Sequence, residues 1–240
     1  MAALEDEIRE ADRVAELEAT CRRLQRQLAS AKAKTDELVD AVERAARDAA
    51  VIVGPAKPVK APKRDKRKHD HSAILHLTDW QLGKTTDSYD STVCRARVRL
   101  AIEKTLKLTE IQRAAYPVNE IVVMLGGDMI EGITVFPGQA FEVDSTAFEQ
   151  VFDAAQIIES SLLTLLEHYD SVRVFEAAGN HGRIGKKGDN PRRDNWDRVV
   201  YRVVRDRMRG QDRLVWAEPD RKSTRLNSSH QIISYAVFCL

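Results

Sequence analysis

Three short stretches of the chain each place metal-binding side chains directly after an apolar segment. They are AILHLTDWQLGK at 73–84, IVVMLGGDMIEG at 121–132 and VRVFEAAGNHGR at 172–183. Apolar runs of this length, followed by Gly and polar residues, are typical of buried strands. Open α/β sheets hold their active sites just beyond the carboxyl ends of such strands. We therefore expect the three strand ends to meet at one metal centre.

The first two stretches supply carboxylates and an amide in suggestive positions. Asp79 and Gln81 alternate, so their side chains can face one ion from the end of a strand. Asp128 follows two glycines, which allow a tight turn and leave room for a ligand. A carboxylate in such a central position can bridge two cations.

The third stretch adds a second amide and a titratable base. Asn180 offers a hard oxygen ligand that suits Mn, Mg or Fe as well as Zn. His181 could donate a proton to the leaving oxygen of a phosphoester. Arg183 adjoins this loop and is the basic residue best positioned to clamp a phosphate.

Taken alone, each motif has a simpler interpretation as a turn or a helix cap. The ordered set, with helical patterns between its members, is what favours a metal site. Two neighbouring residues stay open at this point. Glu131 is either a second acceptor behind a metal ligand or a loop and cap residue, and Trp80 either stacks on a base or packs in the core.

The ordered motifs Asp-x-Gln, Gly-Asp and Gly-Asn-His resemble those of the calcineurin-like metallophosphoesterase superfamily. They are most similar to bacteriophage-type members that carry DWQxGK, GDxIEG and GNHGR. The resemblance covers 72–219 and implies an α/β fold, a four-layer αββα sandwich holding two divalent metal ions. It further implies the roles of the site residues: Asp79 and Gln81 as ligands of the first metal, Asp128 as the bridging ligand, Asn180 as a ligand of the second, and His181 as the acid or phosphate contact.

The chain departs from this family pattern in two ways. The usual Asp-x-His of the first motif is Asp-x-Gln here, so Gln81 either offers its carbonyl oxygen or is not a ligand. This change favours Mn, with Mg, Fe and Zn as alternatives. The family's later His and Gly-His-x-His are not found between 182 and 219. We attribute their absence to truncation of the sandwich and expect the present chain to bind metal and catalyse weakly.

The sequence divides into four segments. Residues 1–53 form a helical pattern without Gly or Pro until its end, with a 3.5-residue apolar repeat that predicts a coiled coil; the alternative is a lone charged helix. Residues 54–71 are a Pro- and Lys-rich linker, either a solvated spacer or an attractor of phosphate. Residues 72–219 are the phosphoesterase domain. The tail at 220–240 matches the translation of a sequencing adapter, so we expect it to be non-native.

Within the domain, strand and helix patterns alternate. Strands are predicted at 73–78, 120–125, 171–177 and 213–217, and helices at 91–115, 145–168 and 191–209. The third helix is expected to be capped by Asp189 or Asn190. The alternation predicts a largely parallel sheet covered by helices.

The composition limits the possible functions and the expected cellular compartment. The formal net charge is +1, which excludes a chain that is basic throughout, although 57–68 holds seven Lys or Arg and one Asp. With three cysteines, no signal peptide and no membrane-length apolar run, the cytosol of a bacterium or of a phage-infected host is expected. The expected function is a metal-dependent phosphodiesterase or nuclease acting on DNA or RNA, with a homodimer or partner protein bound through the coiled coil. The alternatives are a phosphomonoesterase and an inactive scaffold or DNA-binding subunit.

Overall fold

A computed structural model describes residues 54–68, 70–185, 188, 190–191 and 194–217, together with scattered positions between 22 and 44. The contacts divide the chain into two units, 1–44 and 45–240. The scattered positions of the first unit are helical and exposed. The residues predicted to form the coiled-coil seam, the basic residues 186, 187, 192 and 193, and the tail 220–240 lie outside the described residues.

The second unit is built on one parallel sheet of four strands, in the spatial order in which they occur along the chain. The strands are β1 (His71–Leu77), β2 (Val118–Leu125), β3 (Ser171–Glu176) and β4 (Leu214–Trp216). The connecting helices are α1 (Ser91–Arg113), α2 (Ala147–His168) and α3 (Trp196–Met208). The predicted α/β class with a parallel sheet is therefore confirmed.

The two faces of this sheet differ in burial. Right-handed crossovers between strands in sequential order put all three helices on one face. The residues of that face are buried, as in Leu75, Val123 and Val174, which are paired across three strands. On the opposite face Phe175 and Val215 are 39% and 48% exposed. A second sheet, which the expected sandwich requires, is not found among the described residues.

Helix α2 begins and packs much as its sequence predicts. Thr146 and Glu149 form a reciprocal capping box, in which the Thr146 hydroxyl accepts from the Glu149 amide and the Glu149 carboxylate accepts from the Thr146 amide. The apolar residues spaced three and four apart along α2 are mostly buried, including Val151 and Leu165. Phe148 is 42% exposed, because it lies in the first turn and meets Trp196 only edge to face.

Helix α3 begins later than predicted, at Trp196 and not at residue 191. The cap is Asn195, whose side chain accepts a hydrogen bond from the Asp197 amide. The prediction of Asn190 as the cap is wrong, because its side chain donates to the Ile184 carbonyl and so holds a loop closed. The other predicted cap, Asp189, lies outside the described residues.

The basic segment before β1 is non-helical, as its prolines predict. It does not behave as a free spacer, however. Its backbone and side chains are hydrogen-bonded to the domain from Ala56 to Arg67, and β1 begins at His71, the last residue assigned to the linker. No helix in the described part of the chain is long and apolar enough to cross a membrane.

Candidate metal centre

The first two motif loops continue side by side beyond the carboxyl ends of β1 and β2. The Asp79 amide donates to the Gly127 carbonyl at 3.1 Å, and the Gln81 amide donates to the Asp128 carbonyl at 2.9 Å. These bonds extend the pairing of the two strands into the loops. Three of the predicted ligands are thus brought together by backbone hydrogen bonds.

These three residues also share an unusual backbone conformation. Asp79, Gln81 and Asp128 have φ angles of 56°, 45° and 53°, in the left-handed region. In the part of the chain that the structure describes, no other residue except glycine has a positive φ. The left-handed region costs a non-glycine residue about 1 kcal/mol or more, and such strain concentrates at functional sites.

The third motif loop packs directly against the second. A Cβ atom added to Gly127 would overlap the backbone of Gly179, and one added to Gly179 would overlap the Asp128 carboxylate. The Asp128 carboxylate in turn accepts a hydrogen bond of 2.6 Å from the His181 amide. The two glycines are required because the loops approach too closely for any side chain. Asp128 therefore lies at the junction of all three motifs.

Asp197, from the first turn of α3, links the second and third motif loops through its side-chain carboxylate. Its carboxylate accepts hydrogen bonds from the backbone amides of Asp128 at 2.9 Å, Met129 at 3.1 Å and Gly179 at 2.8 Å. The side chain is fully buried. One carboxylate thus fixes the backbones of two separate motif loops.

The environment of Asp197 disfavours its charge. Burial raises the pKa of its carboxyl to about 6, and the nearby Asp128 carboxylate adds to the rise. The three amide donors act in the opposite direction, because they stabilise the ionised form. Burial is the dominant effect, since the group has no solvent contact.

His181 faces a buried acid. Its Nδ1 lies 3.0 Å from Oε2 of Glu131, an ion-pair distance, although the two atoms are not in line for a hydrogen bond. Glu131 is 2% exposed, and its other oxygen accepts a hydrogen bond from Nε2 of Gln139 at 3.0 Å. The sequence leaves open whether Glu131 is an acceptor behind a metal ligand or a loop and cap residue, and the residue it approaches is His181, which is not among the predicted ligands. Glu131 therefore contacts the Nδ1 side of the His181 ring.

The side chains of the remaining candidates differ in how free they are. The Asp79 carboxylate is exposed and accepts the Thr78 hydroxyl at 2.7 Å. The Gln81 carbonyl oxygen accepts a hydrogen bond of 2.9 Å from Nζ of Lys84. Asn180 is exposed at the tip of its loop. Gln81 could therefore bind a metal ion only if Lys84 moved away.

Several buried polar atoms at this site have no hydrogen bond. In the described residues five buried side-chain atoms lack one, and four belong to Trp80, Glu131, His181 and Arg183. Oε2 of Glu131 and Nδ1 of His181 face each other at 3.0 Å, which leaves Nε of Arg183 and Nε1 of Trp80 as the other two. The Nε–H of Arg183 is a donor without a hydrogen bond, of the kind that oxyanions accept from. Trp80 is fully buried, so it packs in the core and does not stack on a base.

The donor set suits a hard divalent ion better than a soft one. Asp79, Asp128 and Asn180 offer carboxylate and amide oxygens, which are the ligands of Mn and Mg. Among the described residues there is no group of three or more His, Cys, Asp or Glu arranged to hold a metal. Two of the four candidate ligands, Gln81 and Asn180, are not of these residue types. The absence of such a group therefore depends on the types of the candidate ligands as well as on their positions. With Gln81 bonded to Lys84, three candidate oxygen ligands remain, fewer than two ions require.

Two residues of the site are absent from the sequence-based prediction. Asp197 lies within a pattern that indicates only a core stripe around Trp196. A carboxylate directly after Trp196, in the first turn of the helix, is the signal that could have identified it. Lys84 belongs to the first motif, but its spacing of three residues from Gln81 is too common to be informative.

The comparisons with known proteins add no assignment to this geometry. A scan against protein-family models, a search of curated proteins and a search of solved structures found no match to the chain.

Proposed function

We propose that this chain is a metal-dependent phosphoester hydrolase of the calcineurin-like type, which its three motifs resemble. The observation that carries the proposal is the backbone strain at Asp79, Gln81 and Asp128. The sequence predicts these residues as metal ligands, and they are the described non-glycine residues with positive φ. Strain of this kind persists where a fold holds side chains for a function.

In the proposed mechanism the ligands are Asp79, Asp128 and Asn180, with Gln81 as a fourth if Lys84 releases it. Divalent ions at such a centre neutralise phosphate charge and supply an activated water, and Mn is the ion we expect. The family resemblance implies two ions, whereas these candidates are fewer than two ions require. We therefore expect weak metal binding and weak catalysis by this chain.

The remaining residues act on the substrate. Arg183 binds a non-bridging oxygen of the phosphate, because its buried Nε has no hydrogen-bond partner within the described residues. His181, oriented by Glu131, donates a proton from Nε2 to the leaving oxygen. Asp197 touches no substrate and keeps the two loops in register. A covalent enzyme intermediate is not needed.

A phosphodiester of nucleic acid is the proposed substrate, and a phosphomonoester is the alternative within the same class. The supporting feature for nucleic acid is the basic segment that precedes β1. The second candidate function is an inactive scaffold or DNA-binding subunit. The specific observation that favours it is the hydrogen bond from Lys84, which occupies the Gln81 oxygen.

The test is hydrolysis of bis(p-nitrophenyl) phosphate and of p-nitrophenyl phosphate by the purified chain with Mn. The proposal predicts slow, Mn-dependent release of nitrophenol from the diester that exceeds release from the monoester. An Arg183→Met variant is expected to raise KM. A chain inactive on both substrates with Mn, Mg, Fe and Zn would favour the scaffold, and preference for the monoester would change the substrate class.

A further inference from the structure

The basic segment before β1 is fixed along the domain surface by its backbone. The Ala56 amide donates to the Arg207 carbonyl at 2.8 Å, and the Val59 amide donates to Oε1 of Gln211 at 3.0 Å. The Gln211 amide nitrogen donates back to the carbonyls of Ala56 and Lys57. Gln211 is 6% exposed, so these bonds are shielded from water. The first part of the segment is therefore held at the end of α3.

The later part of the segment is held in the same way across the sheet. The Asp65 amide donates to Oδ1 of Asn119 at 2.9 Å, and Nδ2 of Asn119 donates to the Asp65 carbonyl at 2.9 Å. Arg64 pairs with Asp170 at 2.8 Å. Arg67 donates to the carbonyl of Arg113 at the end of α1. Two of the seven basic residues are thus used to attach the segment.

Burial along this segment repeats every third residue. The inward, half-buried positions are Ala56, Val59, Pro62 and Asp65, and the residues between them are exposed. A period of three without regular backbone hydrogen bonds is that of polyproline II, which the prolines favour. Lys57, Lys60, Lys63 and Lys66 each follow an inward residue, so they share one exposed edge. We call these four residues the lysine row.

The lysine row is free to meet a partner. All four side chains are exposed, and none forms an ion pair within the residues that the structure describes. In polyproline II, at about 3.1 Å per residue, the row would extend over roughly 28 Å, with ~9 Å between neighbouring lysines. The backbone is already ordered, so a partner would not have to order it on binding.

The geometry points to the phosphate backbone of nucleic acid as this partner, and we propose the lysine row as a docking surface for it. The choice of nucleic acid rests on the proposed function. A line of ammonium groups matches a line of phosphates. The exposed residues between the lysines are Pro58, Ala61 and Arg64, so the row lacks the large apolar side chains with which a helix or loop enters a membrane. The docking surface contacts phosphate groups without sequence preference, because it presents no side chains that recognise the edges of bases.

The docking surface lies at the opposite end of the sheet from the candidate metal centre. The segment crosses the amino ends of the strands, where it meets Asn119 in β2 and Asp170 just before β3. The motif loops lie at the carboxyl ends. Strands of six to eight residues separate the two by roughly 20 Å or more. The row therefore holds nucleic acid away from the site and raises the affinity for long substrates.

The experiment is binding of a fluorescently labelled 30-bp DNA duplex to the full chain, measured by anisotropy at several KCl concentrations. EDTA is present, so the result does not depend on a metal centre or on hydrolysis. The test variant carries Lys57→Gln, Lys60→Gln, Lys63→Gln and Lys66→Gln. The matched control removes the same charge elsewhere on the domain, with Arg99→Gln, Lys104→Gln, Lys107→Gln and Arg202→Gln.

The plot of log K against log[KCl] has a negative slope, and neutralising the row is expected to reduce its magnitude by about 3 to 4. Each lysine that no longer neutralises a phosphate removes about 0.9 from that magnitude. The control is expected to keep the wild-type slope. A single strand of the same length should show a reduction of about 3, because each neutralised phosphate contributes only about 0.7 there. Circular dichroism should be unchanged in both variants, since the substituted side chains are exposed.

Equal slopes for wild type, row variant and control would overturn the proposal, as would the absence of duplex and single-strand binding by the wild type. Row-dependent binding to phosphatidylserine vesicles without binding to nucleic acid would replace it with a membrane surface. The proposed hydrolysis is tested separately. The row variant should hydrolyse bis(p-nitrophenyl) phosphate at the wild-type rate, because that substrate is too small to reach the row.

Discussion

The carboxylate of Asp197 accepts the backbone amide of Asp128 at 2.9 Å, across a sequence separation of 69 residues. The same oxygen accepts the amide of Gly179. A helix start thereby fixes the loop of the proposed bridging ligand and the loop that carries Asn180 and His181. Asp197 is consequently a positioning residue for the whole centre.

Replacing Asp197 by Asn is expected to lower the free energy of unfolding by about 1–3 kcal/mol, the cost of leaving a buried donor unsatisfied. An amide can direct only one oxygen at the three backbone donors, and its nitrogen would face an N–H group. Urea denaturation at neutral pH measures the loss. Asp206→Asn in the same helix is the control, since its ion pair with Arg202 is exposed and should contribute little.

Stability should also depend on pH through Asp197. Its pKa is raised from an ordinary 3.8 to about 6 in the fold, so the folded state binds the proton more tightly. The stabilisation of the folded state by this bound proton is fully present below pH ~4 and is lost as pH rises through ~6. Its full extent is about 3 kcal/mol. The difference in unfolding free energy between wild type and Asp197→Asn, in EDTA, should therefore shrink from pH 4 to pH 7, and a difference that grows with pH would contradict the raised pKa.

The close approach of the motif loops predicts different costs for two glycine substitutions. Gly127 and Gly138 both have positive φ, at 92° and 85°. A Cβ at Gly127 would overlap the backbone of Gly179, whereas nothing lies within 4 Å at Gly138. Gly138→Ala should cost about 1 kcal/mol of backbone strain. Gly127→Ala should cost a further ~1–3 kcal/mol, about that of overpacking. Equal melting temperatures for the two variants would show that the loops are not in contact.

The pair of Glu131 and His181 predicts an effect on catalysis that is separate from metal binding. Glu131→Gln keeps the shape of the side chain but removes the charge 3.0 Å from Nδ1 of His181. Diester hydrolysis is expected to fall about 10- to 100-fold, as for other residues that orient a site group. Affinity for Mn should not change, because Glu131 contacts none of the proposed ligands. Glu142→Gln, at an exposed acid eleven residues further along the chain, should leave hydrolysis unaltered.

Much of the fold follows from the sequence because its patterns are local. The apolar strands and the stripe of α2 need no tertiary information, and their predicted bounds differ from the observed ones by a few residues. The start of α3 differs from the prediction because Pro191 and Asn190 look like a helix start, whereas Asn190 bonds a loop carbonyl that only the tertiary fold brings near.

The site is predictable only where its residues are contiguous with strand ends. Asp79, Gln81 and Asp128 follow apolar runs, and backbone pairing brings them together. Asp197 lies 69 residues from the loop it holds, so no local pattern connects the two. The hydrogen bond between Lys84 and Gln81 depends on a rotamer, and the attachment of the basic segment depends on Asn119 and Gln211. Such contacts cannot be inferred from spacing.

The most direct test of the account is Mn binding to the wild-type chain, followed by the decrease of the free-Mn signal in electron paramagnetic resonance. Asp128→Asn is the test variant, and Asp153→Asn is the control, because Asp153 pairs with Arg95 on the helices away from the loops. Weak but measurable binding is expected in the wild type, which Asp128→Asn abolishes and Asp153→Asn preserves. Binding of equal strength in all three proteins, or none in the wild type at millimolar Mn, would contradict it.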